Sequence, residues 1–140
     1  MGGRGTFAAG NPVPYTYEVD SEHYVDGKLD GIKVLKGIAG TGKHGLPESS
    51  HSSWAYLNMN PDGTFNTLRV FDKNHALRLE IAYHPENQLA PGKDKVLHYH
   101  IYSPEFSTTK NGPFTRTSAR LHKNSRIYKR FSNYFKGVKL

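Results

Sequence analysis

Apolar and polar residues alternate in two neighbouring stretches, Ala76 to His84 and Lys95 to Tyr102. Side chains on a strand point alternately to opposite faces, so each stretch reads as a β-strand with one apolar side. Leu77, Leu79, Ile81 and Tyr83 share a face of the first strand, and Leu97, Tyr99 and Ile101 share a face of the second. With these on the core side, Arg78, Glu80, His84, His98, His100 and Tyr102 share the opposite face. A one-residue bulge in either strand would reverse part of that face.

The same reading extends upstream. Trp54 to Met59 and Thr64 to Phe71 flank Asn60-Pro61-Asp62-Gly63, where proline presets φ and glycine tolerates positive φ, so residues 54–71 predict a hairpin. Asp72-Lys73-Asn74-His75 makes the next turn and Pro85 to Pro91 a loop, which makes residues 54–102 an antiparallel meander of four strands. Gly31 to Lys36 reads as a further strand and Tyr15 to Val19 as a short one. Towards the end, Leu121, Ile127, Tyr128, Phe131, Tyr134 and Phe135 roughly follow i, i+3, i+4, i+7 spacing. They predict one helix over 117–135, ending before Gly137, with its apolar stripe on the sheet. Residues 1–14, with four Gly and two Pro, read as a flexible arm. Residues 15–140 then form a single α+β domain: an antiparallel meander sheet of four to six strands with one C-terminal helix.

Composition narrows the classes. A chain of 140 residues fits one domain, and the absence of cysteine excludes disulfides and cysteine-ligated zinc. No apolar run approaches the roughly 18 residues that span a bilayer, so no membrane partner is expected. The start, Met1 to Thr6, lacks the apolar core of a signal peptide. Gly2 and Thr6 do fit the loose N-myristoylation pattern, but a glycine-rich tail explains them more simply. The net charge of +7 is unevenly placed: nine of the nineteen basic residues, and no acidic one, lie from Phe106 onward. The preceding 105 residues hold ten basic against twelve acidic. A basic tail on a near-neutral body points to an anionic partner, RNA or DNA first. Arg120, Lys123, Arg126, Lys129, Arg130 and Lys136 would line the helix's outer side, and with Arg116 just before it the arginines and lysines from 116 to 130 would meet a phosphate backbone.

One motif is set aside. Gly37, Gly42 and Lys43 match a P-loop, but His44 stands where a hydroxyl must hold magnesium, and Gly45-Leu46-Pro47 opposes the required helix. The sequence therefore predicts no ATP or GTP hydrolysis.

The histidine face admits three readings. Acid–base RNA cleavage without a cofactor would use His84, His98 and His100 as base or acid, because imidazole titrates near neutrality, with Arg78 and Tyr102 contacting phosphate. A divalent-metal site would use the His98-x-His100 pair, completed by His84 and Glu105. The spacing Gly92-x5-His98-x-His100-x4-Glu105-x6-Gly112 is similar to the first cupin motif, but the 28 residues that remain read as a basic helix instead of a second motif. In the third reading the histidines are only solvated, and Arg78 and Glu80 pair across strands.

Met1-Gly2-Gly3-Arg4-Gly5, Arg69-Val70-Phe71-Asp72, His84-Pro85 and His98-Tyr99-His100 together resemble a group of small prophage proteins from phage head-gene neighbourhoods. The resemblance spans about half the chain. It implies a phage-type protein in the cytoplasm of a bacterial host or on the virion, in a setting where toxin-like nucleases are frequent. The concrete expectation is a metal-independent ribonuclease or toxin-like endonuclease. The rival is a non-catalytic protein, an inhibitor or virion component, that binds nucleic acid or a host protein.

Overall fold

The structure, a computed structural model, describes residues 17–37, 46, 53–85, 94–106 and 113–139. The glycine arm over 1–14, the P-loop look-alike beyond Gly37, and Gly92 and Gly112 of the cupin-like spacing lie outside them. The elements are β1 (Tyr17–Val19), β2 (Lys28–Leu29), β3 (Ile32–Gly37), β4 (Ala55–Met59), β5 (Phe65–Phe71), β6 (Leu77–Pro85), β7 (Lys95–Ile101), β8 (Ala119–Arg120) and α1 (Arg126–Phe131).

The expected meander forms, with β4, β5, β6 and β7 pairing in turn, each antiparallel to the next. The sheet is larger and mixed, however. Its order is β1-β3-β4-β5-β6-β7-β8, with β2 also pairing β3, and β3 runs parallel to β4. An expectation of four to six antiparallel strands is therefore corrected. The two strands that were not expected, β2 and β8, are two residues long, too short to show a period, and a strand's direction is not written in its alternation.

One face of the sheet carries the main core. Val34, Leu57, Leu68, Ile81 and Leu97 pack there against Leu121, Phe131, Tyr134 and Phe135. The chain is thus α+β, with one short C-terminal helix over its apolar face. The helix is not the predicted 117–135: Thr117 and Leu121 instead donate backbone hydrogen bonds to Ile101 and Leu97 carbonyls, extending the sheet. Of residues 115–118, Thr115 and Thr117 are β-branched, which favours extended backbone. Ser125 then starts the helix, its Oγ accepting the Tyr128 N–H at 3.1 Å. A 3₁₀ turn, Ser132–Tyr134, follows.

The opposite face has its own apolar cluster: Leu35, Leu46, Tyr56, Phe71, Leu77, Tyr102 and Phe106. Leu77 belongs here, not with Leu79, because the β5–β6 register slips between Val70 and Phe71. One extra residue on β6 turns its first side chain to the other face. Ile101, expected in the core, is 45% exposed. No helix among the described residues is long and apolar enough to cross a membrane.

Candidate functional site

Register places the polar side chains. Arg69 pairs with Glu80, and Glu80 with His100; Ala82 pairs with His98, and His98 with Arg120; His84 pairs with Val96. Directly opposed residues on antiparallel strands share a face. The three imidazoles accordingly run in a row along it, with ring centroids 4.7 Å apart for His84 and His98 and 5.1 Å for His98 and His100. Both contacts are edge to face.

Hydrogen bonds orient each ring. The Nδ1 atoms lie 2.9 Å from the Pro85 carbonyl in His84, 2.8 Å from the Val96 carbonyl in His98 and 3.0 Å from the Thr117 carbonyl in His100. A carbonyl oxygen only accepts, so Nδ1 carries the proton in all three, and Nε2 is the nitrogen left for proton exchange or metal ligation. The His100 Nε2 lies 3.8 Å from a Glu80 carboxylate oxygen. An imidazolium at His100 would thus face an acceptor at both nitrogens.

Glu80 anchors the other end of the row. Arg69 Nε donates to it at 2.6 Å, and Arg69 Nη1 donates to the Leu46 carbonyl, also at 2.6 Å. Burial pushes the Glu80 carboxyl up, but Arg69, His100 and Arg116 outweigh burial and hold it below the usual carboxylate range. A buried carboxylate is tolerable only with such partners.

The burial of the row departs from a solvated face. His98 and His100 are 0% and 3% exposed, and only His84 is half-buried. Tyr102 is buried beside Phe106 and Phe114, with Arg116 Nη1 at 3.5 Å from its hydroxyl. Burial raises its pKa; the Arg116 hydrogen bond opposes the shift and the Glu80 charge adds to it. Arg78 does not pair with Glu80. It bridges Asp72 at 2.9 Å and donates to the carbonyls of Leu77, Pro104 and Phe106, so it ties the segment after β7 to the sheet. Glu105 is exposed on the turn after Pro104. His84, His98, His100 and Glu105 are not brought together as a ligand set: among the described residues, the group whose ligand atoms come within 4.8 Å of one another is Asp20, Glu22 and His23.

That second group was not legible, because its members lie in a polar loop with no strand or helix period. Its charge is already answered by Lys36, whose Nζ is 3.8 Å from Asp20 and 3.3 Å from Glu22. The other residue missed is Arg69. The hairpin pattern could have suggested it, since β5 and β6 are neighbours, but the register slip after Val70 hides which residue faces Glu80.

The expected phosphate-binding cations divide between two sides. Arg126, Lys129 and Arg130 are exposed on α1, over the apolar face. Arg120 and Arg116 oppose His98 and Tyr102 on the histidine face, at the sheet edge made by β8. Lys123 is exposed between them. The histidine row and the helix cations therefore lie on opposite sides of the sheet. No protein-family model, curated protein or solved structure matches the chain.

Proposed function

We propose that this chain is a phage-type, nucleic-acid-directed protein that docks a basic edge on a phosphate backbone, acting in the host cytoplasm or from the virion. One observation carries the reading. From Arg116 to Lys139 all eight basic residues are exposed, and no acidic residue interrupts them. They pass from the histidine face, over the edge strand, to the helix. A short basic edge strand also discourages edge-to-edge pairing, so binding itself must be measured. Affinity for RNA or DNA is expected to fall steeply with salt, because each neutralised phosphate releases counterions. Charge reversal at Arg126, Lys129 and Arg130 should weaken it while leaving the fold intact. Absence of binding at low salt, or salt-independent binding, sinks the reading; capture of a host protein alone would replace it.

The most concrete catalytic version is metal-independent RNA cleavage. His84 Nε2 would take the ribose 2′-OH proton, the oxygen would attack phosphorus, and the 5′-oxygen would leave protonated by a second acid, giving a 2′,3′-cyclic phosphate. The row supports it because His84 is the reachable imidazole, with His98 and His100 behind it to stabilise its charge and Arg120 opposite His98 for the phosphate. His84→Ala should lower cleavage about 10²-fold or more. Activity should survive EDTA and follow a bell-shaped pH profile. Loss in EDTA with recovery on adding a divalent ion would replace this version with a metal-dependent one.

A further inference from the structure

We propose that Trp54 is a stacking platform for an unpaired base, which makes a single strand, in preference to duplex, the ligand class of the basic surface. The inference rests on the nucleic-acid reading above. Trp54 is the chain's single tryptophan. Its carbonyl accepts the Phe71 N–H at 2.9 Å, which fixes the residue at the head of β4. The residue joins neither apolar cluster and remains 48% exposed, although burying an indole is among the larger gains a side chain can make.

What stands beside the ring gives the exposure a use. The Arg130 guanidinium lies over the indole, 6.0 Å from its centroid, and over the Phe131 ring at 5.0 Å. Arg130 belongs to α1, whose neighbouring cations Arg126 and Lys129 are exposed as well. A fixed aromatic face next to cations that follow a backbone is the arrangement by which single strands are held: the phosphates meet the cations and a base stacks on the ring. Arg130 stands at one face of the indole, and a base would stack on the exposed part of the ring. Duplex bases already stack on each other and offer no such face, so they would meet the cations alone.

Because Trp54 is the single indole, its fluorescence reports on this contact in the unmodified full chain. Titration at low salt with oligo-uridylate is expected to quench it saturably, and an RNA duplex of equal length to quench it far less. By anisotropy of labelled strands, Trp54→Ala should lose roughly tenfold in single-strand affinity and less than about twofold in duplex affinity, in line with the worth of one base–aromatic stack. Trp54→Phe, which keeps a ring, should recover most of the loss, and it decides the matter if the alanine variant does not fold. Salt-dependent strand binding with no quenching and unchanged affinity in Trp54→Ala overturns the platform and leaves the nucleic-acid reading standing. Equal losses on single strand and duplex also overturn it. Failure to bind either ligand overturns that reading and this inference together.

Discussion

At the scale of single residues, the sheet's histidine face is governed by one buried ion pair. Arg69→Ala would leave the Glu80 carboxylate buried without its closest partner, at a cost of about 3–5 kcal/mol in a denaturant titration. Replacing both, Arg69→Met with Glu80→Leu, should cost much less, since the desolvation of two charges disappears with them. A double variant as unstable as the single one would refute this. The same carboxyl sets an acid limb. Its folded pKa lies below the ordinary 4.5, so its contribution to stability is complete above that pH and is lost as pH falls through the folded value. Between neutrality and acid, the wild type should therefore lose stability more steeply than Glu80→Gln; parallel curves would show that another group controls the limb.

At the scale of elements, the C-terminal segment is held by its caps and by one glycine. Ser125→Ala removes the acceptor for the Tyr128 N–H, and about 1 kcal/mol of stability should go with it. Gly137 has φ 76°, and a Cβ there would lie 2.5 Å from the Thr64 methyl in the β4–β5 turn. The adjacent Lys136 carbonyl accepts the Phe65 N–H at 2.8 Å, so the segment cannot move away without losing that bond. Gly137→Ala should destabilise by about 1–3 kcal/mol, from left-handed strain and the clash together. Adding Thr64→Ser removes the methyl and should restore only part of the loss. Full restoration would mean that the backbone there is unstrained.

At the scale of the whole molecule, the cations on the two sides of β8 are within reach of one ligand only if it wraps over the edge. Paired neutral variants separate the cases. Arg116→Gln with Arg120→Gln, and Arg126→Gln with Lys129→Gln, should each lower the slope of log affinity against log salt by up to about 2. A change confined to the helix pair would restrict docking to that side and separate it from the histidine row.

Much of this was readable in the chain. Alternation in residues 76–84 and 95–102 depends only on strand geometry, so it placed His84, His98 and His100 on one face before any partner was known. The Asn60 to Gly63 turn, the four-strand meander and the exposed basic run followed equally from local chemistry. Other features depend on what a residue meets across the fold. The parallel β3–β4 pair, the shift of Leu77 to the second cluster, the burial of His98 and His100, and the pairing of Glu80 with Arg69 instead of Arg78 are of this kind. The same holds for the helix, which begins at Ser125 because the preceding residues found hydrogen bonds on β7. A period of two assigns a side chain to a face. Register, bulges and the neighbouring strand decide whether that face is wet and which charge answers which, and those are set only when the strands meet.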